Sequence, residues 1–485
     1  MINLSKFFVG MLLKFLVLLL WLGTSESQAQ NRSSSVSVNS NNGKTTISVK
    51  NGKKNSFSLE YEGDITISDD DKDIVAISRG GYVEIKKSAF GSRRRIFMEP
   101  DSNGKIIKKY YVGSSEQNFA SEGKKWLAEI LPEVIRSSTL GAEERVDRFY
   151  KKGGTYAVLQ EVGEIDSDYV KSAYIKLLLD KNPKNSDLIS ILKVVGSDIG
   201  SDHHQATILK HNAKAFLASE GSTNAYIAAT GRINSDHHKA DVLKKSIRDG
   251  QISESQMKTL FAITEDINSD HHKANVLMEV MNNRTLNGAN INLLINTSRN
   301  INSDHHKANV LKKALASPGL SESGYSSFLE SISDINSDHH CSNIISALLD
   351  KKLDTESLGK LLQLADHNMS SDHHKSQVLK KVIQKQSLDG GNLEVLLAAL
   401  KGMGSDHNQS EVFKQLAKES FSSSQLKNIL AATRSMNSDH SQAQSLIAFA
   451  PAVKDGGDDV KEAYRNACSG ISSESSYGRA LRAIQ

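Results

Sequence analysis

Pairs of adjacent histidines recur along this chain of 485 residues, and each pair directly follows a Ser-Asp step. Imidazole nitrogens and carboxylate oxygens are ligands of divalent transition metals, so this pattern could support metal binding. Imidazole also titrates near pH 6.5, so the same residues could sense acidity. The six pairs are His203-His204, His237-His238, His271-His272, His305-His306, His339-His340 and His373-His374. Later Ser-Asp steps keep single histidines, His407 and His440.

Two physical arguments weaken the metal interpretation. Adjacent residues in a helix point about 100° apart, so the two rings of a pair do not readily converge on one ion. A helix N-terminus also carries partial positive charge, which repels a cation. We therefore predict no metal site and no cofactor. Metal binding or pH sensing by the Asp-His-His ladder stays as the alternative hypothesis.

Anion recognition and a structural role are the remaining interpretations. Helix N-termini bind anions and a following lysine adds charge, but the aspartate at each N-terminus repels them. In the structural interpretation, Ser-Asp caps a helix. The rings then fill the groove between helical hairpins or bond the carbonyls that end the previous helix. We favour this third interpretation. The following lysines are Lys171, Lys239, Lys273, Lys307 and Lys375.

If the ladder binds a partner, we expect the second histidine of each pair to take part, because that ring is predicted to face solvent. Lysine pairs opposite the apolar stripe of the same helices would form a basic face, and acids on the second helices an acidic face. The candidate binding residues are His204, His238, His272, His306, His340, His374, Lys244, Lys245, Lys312, Lys313, Lys380 and Lys381. The acids are Glu254, Glu265, Asp266, Glu322, Glu330, Asp354 and Asp366.

The interval between the motifs indicates a helical repeat array. The aspartate of the Ser-Asp step recurs after 34 residues in seven of eight intervals and after 33 in the last. Such a period is typical of a solenoid, in which each repeat buries its apolar face only by stacking on its neighbours. The nine positions are Asp168, Asp202, Asp236, Asp270, Asp304, Asp338, Asp372, Asp406 and Asp439.

Each repeat is predicted to be a hairpin of two helices. In the fifth repeat, Ser303 is the expected N-cap of the first helix, which should end near Pro318-Gly319. Ala308, Leu311 and Leu315 would form its buried stripe. Elsewhere, Ser253 with Gln256, and Ser422 with Gln425, form the capping-box pattern that starts a second helix.

The region before the array begins with an export pattern. An apolar run over 15–22, with small residues at Ser27 and Ala29, predicts a signal peptide over 1–29. The Ser- and Asn-rich stretch 30–43 is expected to be a flexible lead-in. These features predict an exported protein, periplasmic or extracellular, with no stable membrane insertion after the signal is cleaved.

The rest of the chain is predicted to have an α+β organisation. Alternating runs in 44–119 predict a small antiparallel β domain, in which the Arg93–Arg95 run is a solvated edge or turn. Amphipathic segments in 120–163 are interpreted as the helical N-terminal cap of an all-α αα-hairpin solenoid. The repeats then occupy 164–468, and 469–485 supplies a C-terminal capping helix.

Charge, cysteines and motifs exclude several function classes. The formal net charge is +4, too small to indicate a nucleic-acid-binding stripe. Cys341 and Cys468 lie about four repeats apart, beyond the reach of a disulfide. No His-Glu-x-x-His, Gly-x-Ser-x-Gly or Gly-x-x-x-x-Gly-Lys motif occurs. We therefore predict no catalytic residues and a protein that is not an enzyme.

Three segments carry a resemblance to known sequences: Gly80–Ile85, Trp126–Pro132 and Gly163–Tyr169. They are similar to segments of uncharacterised exported bacterial proteins in which a small β domain precedes HEAT-like helical repeats. Similar segments also follow the sensor metallopeptidases of the BlaR1 type, whose peptidase part has no counterpart here. The resemblance implies a protein of the bacterial cell envelope and transfers no catalytic residue.

Together these observations predict a non-enzymatic repeat scaffold. Solenoids usually act as extended binding surfaces, and catalytic motifs are missing. We expect the chain to bind a protein or peptide partner, and not nucleic acid, in the cell envelope.

Overall fold

The structure is a computed structural model that describes residues 34–41, 44–51, 55–89, 91–389 and 391–485. The predicted signal peptide lies outside these ranges. The chain divides into two compact units, here called the β unit, which ends at Leu178, and the helical unit, which begins at Leu179. An antiparallel sheet followed by a long series of helices confirms the predicted α+β class. Among the described residues, no helix is long and apolar enough to cross a membrane.

The β unit is built on a seven-stranded antiparallel sheet with the order β1-β2-β3-β6-β7-β8-β9, and β4 and β5 form a separate hairpin. Most strands alternate buried and solvent-facing residues, as expected when one face packs on a core and the other meets water. The strands are β1 Ser34–Asn41, β2 Lys44–Asn51, β3 Asn55–Glu62, β4 Ile65–Ile67, β5 Ile74–Ile77, β6 Tyr82–Ala89, β7 Ser92–Pro100, β8 Ile106–Val112 and β9 Ser115–Gln117.

The core of the β unit lies between the sheet and one helix. Ile47, Leu59, Ile85 and Ile96 stand opposite one another across four neighbouring strands and are fully buried. The helix Lys124–Arg136 completes this core with the apolar side of its amphipathic surface. The sequence placed this helix in the cap of the array, but its buried side chains belong to the core of the sheet.

Two predictions about this region are wrong. The expected flexible lead-in contains strand β1, because the alternating Ser-Val residues of 34–41 pair along the whole of β2. The arginine run is not an edge or turn, since it opens β7, which lies between β6 and β8. Arg95 packs its guanidinium 4.0 Å from the ring centre of Tyr111 and forms a salt bridge with Glu84 at 3.3 Å.

The β unit also contains two further helices and a buried ion network. The helices are Ala142–Gly163, which is kinked at Gly153 and Gly154, and Asp168–Leu179. Arg145 is 1% exposed, and its Nη2 lies 2.8 Å from Asp71 Oδ2 and 2.9 Å from Glu161 Oε1. The network therefore ties the β4–β5 turn to the helix Ala142–Gly163.

The helical unit consists of αα-hairpins, as predicted. We number the repeats from Asp168, so that this unit contains the second repeat, which begins at Asp202, through the ninth, which begins at Asp439. The helices of the unit are Asn185–Asp198, Asp202–His211, Ala213–Phe216, Glu220–Gly231, Asp236–Asp249, Glu254–Glu265, Asp270–Asn283, Gly288–Arg299, Asp304–Leu315, Tyr325–Ser333, Asp338–Leu348, Thr355–Asn368, Asp372–Lys385, Asn392–Lys401, Asp406–Leu416, Ser423–Ala432, Asp439–Lys454, Asp458–Cys468 and Glu474–Arg482, with 3-10 turns at Glu322–Gly324 and Thr433–Ser435.

First helices pack beside first helices and second helices beside second helices, so the apolar stripes form one continuous core. Ala308, Leu311 and Leu315 are buried, and their helix ends three residues before Pro318, as predicted. Both predicted capping boxes are formed, at Ser253 and at Ser422. The last helix starts after Ser473, which caps it, and packs on the two helices of the ninth repeat.

Candidate functional site

From the second repeat to the ninth, the serine of the Ser-Asp step caps the first helix of its repeat, as the sequence predicted. Ser269 Oγ accepts a hydrogen bond from the backbone N–H of His272 at 3.4 Å, and Ser303 does the same for His306 at 3.5 Å. Such a bond satisfies one of the backbone donors left free at a helix start. It also places both histidines of a pair in the first helical turn.

The aspartate of the step has a role that the sequence analysis missed. Asp270 Oδ1 accepts the N–H of Asn302 at 3.1 Å, and its Oδ2 accepts the N–H of Ser303 at 2.8 Å. Each carboxylate therefore clamps the segment just before the first helix of the following repeat. The same bond to the next capping serine recurs from Asp202, Asp236, Asp304, Asp338, Asp372, Asp406 and Asp439. Ser303 follows Asp270 by 33 residues, one less than the repeat length. This spacing between an aspartate and the next capping serine is the sequence signal that could have revealed the clamp.

The residue after each histidine pair is buried, and in three repeats it is a lysine that bonds to the end of a second helix. Lys273 Nζ donates to the carbonyl of Asn300 at 2.9 Å, and Lys375 Nζ donates to that of Asp366 at 3.0 Å. Lys307, at 3% exposure, reaches the carbonyl of Asp334, and burial is the main reason why its pKa is lowered. These lysines, considered above as anion ligands, are therefore occupied in the hairpin interior.

The serine, aspartate and lysine of the motif thus cap the helices and join them to one another. The histidine rings form a separate feature. In the first five pairs, the first ring lies between its own neighbour and the second ring of the next repeat. His271, for example, has ring centres of His272 and His306 at 5.3 and 5.5 Å. Across six repeats the contacts join twelve imidazoles, with centre-to-centre distances of 5.2–5.8 Å. We call this row the histidine ladder.

The prediction of which histidine faces solvent is wrong. The first histidine of every pair is exposed, whereas the second is only half-buried. The helical period explains this: His306 precedes buried Val310 by four residues, and His305 precedes exposed Asn309 by the same step. The exposed rings are His203, His237, His271, His305, His339 and His373.

The two rings of a pair also lie closer to each other than we expected from adjacent residues of a helix. Their backbones diverge by about 100°, but side-chain torsions turn the two rings toward each other. Even so, in the ranges that the structure describes, no group of three or more His, Cys, Asp or Glu side chains could hold a metal ion.

The electrostatic surroundings of the ladder are mostly basic. Burial and the neighbouring rings lower the pKa of His238, His272 and His340, and a lysine of the preceding repeat contributes to each shift. These lysines are Lys210, Lys244 and Lys312. Two of the predicted binding lysines are therefore near the ladder, where they oppose protonation of the rings.

A second polar row runs beside the exposed rings, one helical turn further along each first helix. In three successive repeats it consists of the carboxamides of Asn275, Asn309 and Asn343, whose Nδ2 atoms lie 2.9–3.2 Å from the Nε2 atoms of His271, His305 and His339. Gln377 occupies the position in the seventh repeat and Asp241 in the third. The exposed edge thus offers imidazole and carboxamide groups in alternation.

The predicted basic face is only partly formed. Lys244 and Lys245 make salt bridges to Asp241 and Asp249 of the same helix, at 3.0 and 2.8 Å. Lys381 is bound to Asp350 at 2.8 Å. Acids on or just after the first helices neutralise these lysines, so the basic character of this surface is weaker than the sequence suggested.

Neither cysteine is placed for reactivity. Both thiols are buried, and burial raises the pKa of Cys341 to about 12 and that of Cys468 to about 11. A thiol with so high a pKa is a poor nucleophile at neutral pH.

Comparison with known proteins gives little. No family model matches the chain, and no curated protein matches it. One matching solved structure is described as "Structure of APUM23-deletion-of-insert-region-GGAAUUGACGG". It is 16% identical, covers 75% of this chain and 89% of its own, and superposes with a TM-score of 0.28. A superposition at this TM-score supports no argument about function.

Proposed function

We propose that this chain is a non-enzymatic scaffold of the bacterial cell envelope that binds a protein or peptide partner along the histidine ladder. One observation carries the proposal. The exposed histidines recur in six consecutive repeats, although the capping, clamping and core-packing roles of the motif belong to other residues. A row of side chains that the fold does not need is what a repeat scaffold presents to a partner.

The shape of the site favours an elongated ligand. The ladder extends over six repeats of the helical unit, and no enclosed cavity is needed to reach its exposed rings. Solenoids typically spread their contacts over several repeats in this way, with each repeat adding an equivalent group. A small molecule would contact only one or two of these groups.

Site-specific crosslinking tests this proposal. A photoreactive amino acid replaces His271, His305 or His339, one at a time, in the full chain expressed in a bacterial envelope. As matched controls, it replaces the exposed histidines outside the ladder, His211 and His367. We expect the same partner to be captured from the ladder positions and not from the controls. Equal capture from both sets, or none from the ladder, would overturn the proposal.

A ladder variant provides the complementary test. The six exposed histidines are replaced by glutamine, which keeps a polar side chain but removes the imidazole. Because these six rings are exposed at the surface, the far-UV circular dichroism should stay that of the parent protein. Co-purification of the crosslinked partner should be lost. Retention of the partner would argue against the ladder as the binding site.

A further inference from the structure

In the histidine ladder, imidazole rings lie side by side, and this arrangement should make the charge of the ladder depend on pH. Each of the five exposed rings from His203 to His339 has two imidazole neighbours at 5.2–5.8 Å, well inside the Debye length of about 8 Å at physiological ionic strength. When one ring is protonated, its neighbours therefore resist protonation.

We propose that the ladder binds an acidic, extended peptide segment and takes up protons when it does so, so that binding strengthens as the pH falls. This inference rests on the proposed function, for which it names the chemistry of the partner and its regulation. The physical basis is linkage: carboxylates laid along the ladder remove the repulsion between neighbouring imidazolium rings, so bound protein holds more protons than free protein.

The groups that face the rings favour this coupling. His238 faces His203, His237, Lys210 and Asp202, and the equivalent groups of the next repeat, Lys244 and Asp236, face His272. Around His340 they are His305, His339, Lys312 and Asp304. The aspartates accept backbone N–H bonds of the following repeat, so their charge is already engaged. An acidic ligand would therefore meet rings and lysines.

One repeat differs from the others and points to the centre of the site. In the third repeat Asp241 lies 3.7 Å from His237 Nε2, and it also binds Lys244 at 3.0 Å. A fixed carboxylate there competes with an acidic ligand. In the fourth, fifth and sixth repeats the same position is an uncharged asparagine. The strongest binding should therefore come from the segment between His271 and His340.

The asparagines supply a second reason for an acid-dependent peptide site. With a neutral ring, Asn309 can donate from its NH2 group to His305 Nε2. A protonated ring donates from both nitrogens, so the carboxamide must turn its oxygen toward the ring and its NH2 group outward. Protonation thus adds hydrogen-bond donors to the edge at the same time as charge. Those donors suit carboxylates and peptide carbonyls.

The spacing along the edge fits an extended chain. Packed helices lie about 8–10 Å apart, and three residues of an extended peptide rise about 10 Å. Each repeat could then meet an equivalent part of a peptide with a three-residue period. Nucleic acid is the less favoured polyanion, because its constant phosphate charge calls for a permanently basic stripe. This chain has a formal net charge of only +4 when its histidines are counted as uncharged.

Titration calorimetry with synthetic probes tests the proposal on the full chain. The probes are an Asp-Ser-Ser repeat peptide, an uncharged Asn-Ser-Ser peptide and a single-stranded oligonucleotide of equal charge. Measurements in two buffers of different ionisation enthalpy count the protons taken up. One net proton taken up changes the affinity tenfold per pH unit. We expect the acidic peptide to bind at least about tenfold more tightly near pH 5.5 than near pH 7.5.

Two variants make the result specific to the ladder. Replacing the exposed ladder histidines of the fourth, fifth and sixth repeats by glutamine should abolish both the acid enhancement and the proton uptake. The matched control replaces three exposed histidines outside the ladder, His211, His367 and His407, and should change neither. Asp241→Asn should strengthen acidic-peptide binding, because it removes the competing carboxylate.

The outcomes separate this inference from the proposed function. If the crosslinked partner is captured equally at both pH values and the acidic peptide binds without proton uptake, the scaffold proposal stands and this inference fails. Tighter binding of the oligonucleotide than of the peptide also overturns it. A third outcome is that the ladder variant keeps the acid-enhanced peptide binding and the control variant loses it. The binding site would then lie outside the ladder, and both the proposed function and this inference would be overturned.

Discussion

The two units treat ionisable side chains in opposite ways. In the β unit, Arg145 is buried between the carboxylates of Asp71 and Glu161, so each of these three charges has an opposite partner. In the helical unit, twelve imidazoles lie beside one another at a surface edge, so each ring faces another group of the same kind. A buried pair of opposite charges holds one conformation at all ordinary pH values. A row of imidazole groups, in contrast, belongs to the side-chain type whose charge changes within the physiological pH range.

The pKa shifts separate the two regions in the same manner. Burial would raise the pKa of Glu161, but hydrogen bonds from Arg136 and Arg145 lower it overall. Burial, together with neighbouring rings, lowers the pKa of His272. The carboxylate is therefore kept charged by the fold, whereas the imidazole is kept neutral. The first arrangement stabilises the protein in its charged form and the second in its uncharged form.

The largest expected effect comes from breaking the ion network. Arg145→Met removes the buried partner that Asp71 and Glu161 share and leaves them paired with the more exposed Arg148 and Arg136, which should cost about 3 kcal/mol of unfolding free energy in the β unit. Trp126 lies in the core of this unit, and no tryptophan occurs in the helical unit. Its fluorescence during denaturant unfolding therefore reports on the β unit alone.

The control for that measurement is Arg93→Met, which removes a charge from the exposed start of β7. A change within about 0.5 kcal/mol is expected at such a surface position. If both variants lost stability equally, the buried network would not be what holds the β4–β5 turn in place.

A smaller effect should follow from removing one clamp of the helical unit. Asp270→Ala deprives the N–H groups of Asn302 and Ser303 of their charged acceptor, which should cost about 1.5–3 kcal/mol. Since repeat arrays open locally, hydrogen exchange is the suitable measurement. Amides at the start of the fifth repeat should exchange faster. Asp266→Ala, at an exposed carboxylate in the loop that ends the third repeat, should leave them unchanged.

The clamp also shows what could be predicted from the sequence. Helix starts were predictable because a capping serine acts on its own first turn, as at Ser303. The role of Asp270 was not predicted, because its partners lie in the next repeat and the residue also fits the dipole of its own helix. Long-range bonds of this kind depend on how the hairpins stack, which the local pattern does not determine.

The exposure of the ladder was mispredicted for a similar reason. Which ring of a pair faces solvent depends on how far the helix is rotated about its axis, and packing of the whole stripe sets that rotation. The burial of Lys307 was equally hidden, since lysine is almost never buried unless its amine finds a partner. Strand β1 was missed because its Ser- and Asn-rich composition is typical of a linker, although pairing with β2 keeps it extended.

The smallest expected effect is on the pH dependence of stability, which is also the most direct test of the contrast between the units. The two units should lose stability at different pH values. A histidine whose pKa is lower in the folded state stabilises the fold above its unfolded pKa of about 6.5, and this contribution is lost as the pH falls below that value. Asp71 and Glu161 have lowered carboxylate pKa values, so their contribution is lost only below about pH 4.

Thermal melting followed by two signals should therefore separate the units. Between about pH 7 and pH 5, the transition seen by circular dichroism, which is dominated by the helical unit, should move to lower temperature. The transition seen by Trp126 fluorescence should stay constant until about pH 4. Replacing the half-buried His238, His272 and His340 by glutamine should flatten the first dependence and leave the second unchanged. Parallel acid dependence of both signals would mean that the ladder does not titrate independently of the rest of the protein.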